Sequence, residues 1–219
     1  MIIKVNGVNL FYERSGSGEP IILLHGSGET HEIFDVLAPL LAKNRTVYAL
    51  DSRNHGESEV TEDYSYETMA RDLLAFIAEL GIAPADVVGF SDGAITAMTA
   101  AMKGGAAIRR MALLGVNLSP EDFLPENLEF IRATLAETGD PLFRMMLEQP
   151  NIALADVRKV TAPTLIVAAE DDLFRPEMFR ELAEAMPGAE LLVMRGHDHD
   201  SYITHSDALY KDLARFFGK

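Results

Sequence analysis

The sequence predicts an α/β fold, in which a mostly parallel twisted sheet opens with an antiparallel hairpin and carries helices on both faces. Short apolar runs alternate with stretches of helical spacing along the chain of 219 residues. The dipeptide Asn6-Gly7 separates two short runs at the start, and Asn-Gly is a strong hairpin signal. With 48% hydrophobic and 24% charged residues, the composition is that of a globular protein, and the length fits one domain over residues 1–219.

The elements follow in a regular order. After the hairpin in MIIKVNGVNLFYE, the runs predicted as strands are IILLHG, RTVYALD, ADVVGF, IRRMALLGV, TLIVAAE and AELLVMRG. Helices are predicted over residues 31–43, 65–80, the segment AITAMTAAMK, 176–186 and 206–217. Because parallel sheets hold their ligand sites at the carboxyl ends of the strands, we expect the functional residues to follow the strands directly.

Residues 119–158 interrupt the alternation and are much longer than a plain crossover needs to be. Their helical patterning and two proline-marked breaks predict a small helical cap above the sheet. Six large apolar side chains of the cap either line a site or pack the cap on the core: Phe123, Leu124, Phe130, Phe143, Met145 and Met146.

Charge and composition exclude several classes of function. The net charge of −15, from 34 acidic and 19 basic residues, argues against nucleic-acid and anionic-membrane partners. The absence of cysteine excludes disulfides, thiolate metal sites and a cysteine nucleophile. The segment MIIKVNGVNL lacks the pattern of a signal peptide, and no apolar run approaches the roughly 20 residues that span a bilayer. We therefore expect a cytoplasmic protein, either a monomer or a homodimer.

The segment VVGFSDGAI contains one serine between two glycines, at the point where a predicted strand meets a predicted helix. Gly89, Ser91 and Gly93 fit the pattern G-x-S-x-G. This pattern suits a sharp, strained turn that exposes a nucleophilic serine, since the glycines remove side chains that would collide there. A glycine-rich turn with a serine helix cap is the alternative, and the strand-to-helix context favours the nucleophile.

The segment HGSG, residues 25–28, follows an earlier strand and is the second candidate loop. Backbone N–H groups of Ser27 and Asp92 are predicted to form an oxyanion hole. A plain tight turn is one alternative. A dinucleotide site that uses Asp51 is another, but His31 stands where its third glycine is needed.

The chain resembles the α/β-hydrolase family along nearly its whole length, since an acid and a histidine follow Ser91 in the order Ser, acid, His. The segments that carry the resemblance are LLHGSGE, ALDSRNHGES, VVGFSDGAI, APTLIVAAEDD and GHDHDSY. The resemblance implies a serine hydrolase with a nucleophile elbow and a short cap. It implies no cofactor and no metal, and it gives Asp51, Arg53 and His55 a structural role.

The resemblance leaves two choices in the proposed triad. Asp172 is favoured over Asp171, because Ala169 stands where the family has the glycine that precedes the acid by three residues. His199 is favoured over His197 by the length of loop that usually follows the last strand, although His197 follows a glycine.

Two further patterns near the end of the chain involve histidine. A metal site formed by residues 197–200 lacks a distant further ligand, and His205 is expected at the start of the last helix.

The implied activity is hydrolysis of small carboxylic esters through an acyl-enzyme on Ser91. The same triad also suits hydrolysis of carbon–carbon bonds, lactones or thioesters, and perhydrolysis, and a non-catalytic binding protein can keep the fold. The substrate pocket is expected to include His25, Gly26, Phe123, Phe143 and Met146.

Asp92 resembles the S-D-G variant of this turn, which occurs in hydrolases of amino-acid esters. Its carboxylate is a candidate for binding a substrate ammonium. An exposed acid at the start of a helix is the commoner case.

Overall fold

The computed structural model describes residues 1–218 and shows an eight-stranded sheet in the order β1-β2-β4-β3-β5-β6-β7-β8. The strands are β1 Ile2–Val5, β2 Val8–Gly16, β3 Glu19–Leu24, β4 Arg45–Leu50, β5 Ala85–Phe90, β6 Ile108–Leu114, β7 Thr164–Asp171 and β8 Glu190–Asp198. Strand β2 pairs antiparallel with β1 and β4, and every other pairing is parallel. The predicted fold class and the predicted hairpin are confirmed.

The helices surround this sheet. They are α1 Leu37–Leu41, α2 Tyr66–Glu79, α3 Asp92–Gly104, α4 Pro125–Thr138, α5 Pro141–Glu148, α6 Leu154–Val157, α7 Pro176–Ala185 and α8 Tyr210–Phe217. Ser65 caps α2 by accepting a hydrogen bond from the backbone N–H of Thr68. Within residues 1–218, no helix combines the length and the apolar character that crossing a bilayer requires.

The sheet separates two apolar layers because successive side chains on a strand point to opposite faces. Ile21 and Leu23 of β3 belong to the apolar layer that includes α1 and α8, whereas Ile22 and Leu24 belong to the layer that includes α2, α3 and α7. All four side chains are almost fully buried, as a strand covered on both faces requires.

The helix predicted over 31–43 is in fact two pieces. A short 3-10 turn spans His31–Phe34, and α1 starts only at Leu37. The cause is Pro39, which has no N–H to donate to residue 35 and whose ring would clash with that carbonyl.

The last helix starts at Tyr210 rather than near 206. The Ser206 hydroxyl accepts a hydrogen bond from the Ala208 N–H and stabilises a turn before the helix. His205 lies ahead of that turn and contacts Asp35.

Helices α4, α5 and α6 occupy the segment between β6 and β7. Pro125 and Pro141 stand in the first turns of α4 and α5, where a missing N–H costs nothing. Gly139, with φ of 68°, ends α4 and reverses the chain towards α5. An isolated bridge between Phe123 and Phe174 ties the start of this segment to the chain after β7.

Candidate active site

Ser91 occupies the turn between β5 and α3, in backbone that a non-glycine residue rarely adopts (φ 50°, ψ −114°). Its N–H donates to the Leu114 carbonyl at 2.8 Å. A Cβ atom on Gly89 would collide with the Gly93 carbonyl, and one on Gly93 would collide with the Leu24 carbonyl. Glycine at both positions is therefore required for α3 to start so close to the sheet.

Asp172 follows β7, and His199 follows β8. The His199 Nδ1 and the Asp172 Oδ1 are 2.7 Å apart. The backbone N–H groups of Ala169 and Leu173 donate to the same carboxyl group at 2.8 Å each. With Nδ1 facing the carboxylate, the buried Nε2 of His199 has no hydrogen-bond partner and is available to accept a proton.

Asp171 and His197 lie elsewhere. Asp171 is exposed and pairs with Asp198 in the sheet, so its side chain does not reach the imidazole. The His197 Nδ1 contacts the Ser201 hydroxyl at 3.2 Å, outside the cavity that Ser91 lines. The geometry thus brings together Asp172 and His199, the pair that the sequence argument favoured.

A cavity of about 250 Å³ lies over Ser91 and His199. Its apolar wall consists of Phe90, Phe123, Phe130, Ile131, Phe143, Met146, Leu173 and Phe174. The predicted Gly26, Phe123, Phe143 and Met146 thus line the cavity. Leu124 and Met145 do not, and Met145 is buried in the core instead.

The polar wall of the cavity is acidic. It contains Ser27, Glu29, Tyr66, Ser91, Asp92, Asn117, Asn127, Gln149, His199 and Asp200. Among the described residues that line it, three carry a carboxyl group and none is lysine or arginine. An anionic ligand therefore meets unfavourable charge throughout this cavity.

Asp92 is buried, so the expectation of an exposed acid at a helix start is wrong. Its Oδ1 accepts a hydrogen bond from the Tyr66 hydroxyl at 2.6 Å, and its Oδ2 has no partner. Burial raises the pKa of Asp92 above the usual range, although the hydrogen bond from Tyr66 acts in the opposite direction.

His25 does not line the cavity, so its assignment to the substrate pocket is corrected. The ring is only 1% exposed, because it turns away beneath the loop. Its Nδ1 lies 2.7 Å from the Gly26 carbonyl oxygen, and its Nε2 accepts from the Ser52 N–H at 3.0 Å. The ring is thus the neutral tautomer that donates from Nδ1.

Two side chains hold the backbone on either side of the Gly26 Cα, one in the His25–Gly26 peptide and one in the Gly26–Ser27 peptide. His25 holds the Gly26 carbonyl, and the Glu29 Oε2 accepts from the Gly26 N–H at 2.8 Å. Because the carbonyl and the N–H of a trans peptide point in opposite directions, fixing the Gly26 carbonyl also fixes the Ser27 N–H. Ser27 and Asp92 both line the cavity beside Ser91.

No residue of the stretch ALDSRNHGES lines the cavity. Asp51 accepts from the His31 N–H at 2.7 Å and lies 2.8 Å from its Nδ1, so this carboxylate already has partners. Arg53 makes two hydrogen bonds to Asp72, at 2.6 and 2.8 Å. In the part of the chain that the structure describes, no three His, Asp or Glu side chains are placed to hold a metal ion.

Several lining residues were not predicted from the sequence. Glu29 and Asp200 each adjoin a predicted motif, and that proximity is a usable signal. Tyr66 and Gln149 belong to the start of α2 and the end of α5, and nothing local in their sequence indicates a shared cavity.

Burial, together with the neighbouring His55 ring, lowers the pKa of His25 from 6.5 to about 4. Between these pH values the unfolded chain binds a proton that the folded protein does not. Stability is therefore lost as the pH falls through this window, by about 3 kcal/mol for this one group. We expect the unfolding free energy of His25→Gln to depend less steeply on pH than that of the wild type, in urea titrations from pH 7 to pH 4. If the unfolding free energies of the two proteins change with pH in parallel, the lowered pKa of His25 is contradicted.

Comparison with known proteins gives a consistent result. The chain is 28% identical over 258 residues to a Mycobacterium tuberculosis protein that carries the provisional name non-heme bromoperoxidase BpoC, covering 96% of this chain and 98% of that protein. It is 28% identical to the serine hydrolase BPHL of Mus musculus, covering 94% and 81%. The enol-lactonase of Burkholderia xenovorans LB400 has the same fold, with a TM-score of 0.83, 23% identity and full coverage of both chains.

A family model gives the assignment directly. It is described as the alpha/beta hydrolase family, and it matches residues 21–212, which include Ser91, Asp172 and His199. The chain belongs to the alpha/beta hydrolase family.

Proposed function

We propose that this protein is a serine hydrolase that cleaves small carboxylic esters through an acyl-enzyme on Ser91. The observation that carries the proposal is the convergence of Ser91 with the Asp172–His199 pair at one cavity. The buried, unpartnered Nε2 of His199 is the group that would take the serine proton.

In the first half of the reaction, the Ser91 hydroxyl attacks the acyl carbonyl carbon and its proton passes to the His199 Nε2. Asp172 stabilises the imidazolium that forms. The N–H groups of Ser27 and Asp92 bind the oxyanion, and the N-terminus of α3 favours its charge. When the carbon–oxygen bond breaks, the leaving alcohol takes the proton back from His199.

In the second half, a water molecule attacks the acyl-enzyme while His199 accepts its proton. The tetrahedral intermediate collapses, the bond to Ser91 breaks, and the proton returns from His199 to the serine oxygen. A carboxylic acid leaves, and the protein returns to its starting state.

The cavity favours a small, uncharged acyl group. Its volume of about 250 Å³ and its aromatic wall suit a short apolar chain. Glu29, Asp92 and Asp200 disfavour an acyl group that carries a carboxylate. A lactone is a cyclic ester, so the same nucleophile, base and N–H donors can act on it. The similarity of the fold to an enol-lactonase makes lactones the second candidate substrate class.

Ser91→Ala should lower kcat/KM for p-nitrophenyl butyrate by roughly four to six orders of magnitude, because the attacking oxygen is removed. A fluorophosphonate probe should label the wild type at Ser91, as located by peptide mass spectrometry. Full labelling of Ser91→Ala would refute the nucleophile. A wild type that is neither labelled nor active would support a non-catalytic binding protein instead.

The other two residues can be tested in matched pairs on the same ester. His199→Ala and Asp172→Asn should each lower kcat/KM by roughly three to six orders of magnitude. Their neighbours supply the controls, because His197→Ala and Asp171→Asn leave the cavity intact and should stay within about threefold of wild type. If His197→Ala loses activity and His199→Ala keeps it, the proposed roles are wrong.

Charge selectivity tests the substrate class. We expect kcat/KM for p-nitrophenyl hydrogen succinate to be at least about tenfold below that for p-nitrophenyl butyrate, because its acyl carboxylate faces the acidic wall. Glu29→Gln keeps an oxygen that can accept a hydrogen bond from the Gly26 N–H, but it removes one carboxyl group. The ratio of kcat/KM for the butyrate to kcat/KM for the hydrogen succinate should therefore fall in this variant. Equal rates on the two esters at low salt would contradict this substrate class.

A further inference from the structure

A second cavity adjoins the one that contains Ser91. Its volume is about 370 Å³, and it lies between α2, α3 and the chain that follows α5. Tyr66 and Gln149 are the two residues that line both cavities. These two residues therefore form a partition, with the candidate active site on one side and the second cavity on the other.

Gln149 holds this partition in place through its amide group. The Oε1 atom accepts a hydrogen bond from the Tyr66 backbone N–H at 3.3 Å, and the Nε2 atom donates to the Tyr64 carbonyl at 3.1 Å. The side chain thus bridges the end of α5 and the start of α2. The Tyr66 ring is fixed separately, because its hydroxyl donates to Asp92.

The second cavity changes from apolar to charged with increasing distance from the interior. Thr99 and Pro150 are buried, and Met102 and Ile152 are half-buried. The charged lining residues reach solvent as two ion pairs, Lys103 with Glu67 at 2.6 Å and Lys159 with Asp156 at 2.7 Å.

These charged side chains are between 39% and 71% exposed. The second cavity is therefore a passage from solvent that ends at the partition.

We propose that Gln149 is a specificity-determining residue that closes the active-site cavity where it adjoins the second cavity, and so limits the length of the acyl chain. The inference rests on the proposed ester hydrolysis. A chain too long for the first cavity meets the Gln149 amide, whose two hydrogen bonds resist displacement. Without that side chain, the end of the acyl group enters the second cavity and contacts Met102 and Ile152.

The test is a chain-length series of p-nitrophenyl esters, from acetate to dodecanoate, with wild type and Gln149→Ala. The measured quantity is the ratio of kcat/KM for the dodecanoate to kcat/KM for the butyrate. This ratio should rise at least about tenfold in Gln149→Ala, because several additional methylene groups become buried against apolar side chains. An unchanged or lower ratio would overturn the proposal.

Two further variants separate volume from hydrogen bonding. Gln149→Met has a similar length but cannot make the two hydrogen bonds, so its ratio should lie between those of the wild type and Gln149→Ala, and a ratio above that of Gln149→Ala would contradict the proposal. In Gln149→Ala/Met102→Trp, the indole fills the second cavity, and the gain on long chains should disappear. A gain that survives the tryptophan would show that the chain does not enter the second cavity, and would overturn the proposal.

Failure of the inference differs from failure of the proposed function. If the wild type cleaves no ester at any chain length, ester hydrolysis is wrong. If it cleaves short esters and the ratio never changes, only the role of Gln149 is wrong. Gln149→Thr shortens the side chain but leaves more bulk at this position than alanine does. It should show a smaller shift in the same direction, and it replaces the alanine variant if that variant does not fold.

Discussion

The close approach of α3 to the sheet is the constraint on which the candidate site depends. It is possible because Gly89 and Gly93 carry no side chain where the backbones of β3, β5 and α3 meet. Ser91 between them is held with φ of 50°, a conformation that costs roughly 1–3 kcal/mol. The buried α3 and the hydrogen bond to Leu114 maintain it, so the hydroxyl is positioned before any ligand binds.

Two histidines at the same edge of the sheet have opposite environments. His199 contacts the Asp172 carboxylate through Nδ1, and its Nε2 has no hydrogen-bond partner. His25 is buried between two backbone groups, and its pKa of about 4 keeps the ring neutral at physiological pH. One ring leaves a nitrogen without a partner at the cavity, whereas the other uses both nitrogens to hold the backbone.

The sequence was sufficient for the order of strands and helices and for the edge where the site forms, because apolar periodicity and glycine positions are local signals. Prediction from the sequence failed where a structural feature depends on the orientation of a side chain or on contacts between distant segments. The position of His25 at a strand end did not show that its ring turns beneath the loop. The prediction of one helix over 31–43 did not take Pro39 into account, although proline is a local signal. Gln149 and Tyr66 meet only through tertiary packing, so neither carried a signal.

The acidic wall of the cavity has two opposing effects on the proposed reaction. Negative charge near His199 stabilises the imidazolium, but the same charge opposes the oxyanion that forms beside Ser27 and Asp92. Burial raises the pKa of both Glu29 and Asp92 above their usual ranges. The exposed Asp200 is screened by solvent. An oxyanion in this cavity therefore depends on direct hydrogen bonds from the N–H groups of Ser27 and Asp92, whose short-range attraction must outweigh the repulsion from the carboxyl groups.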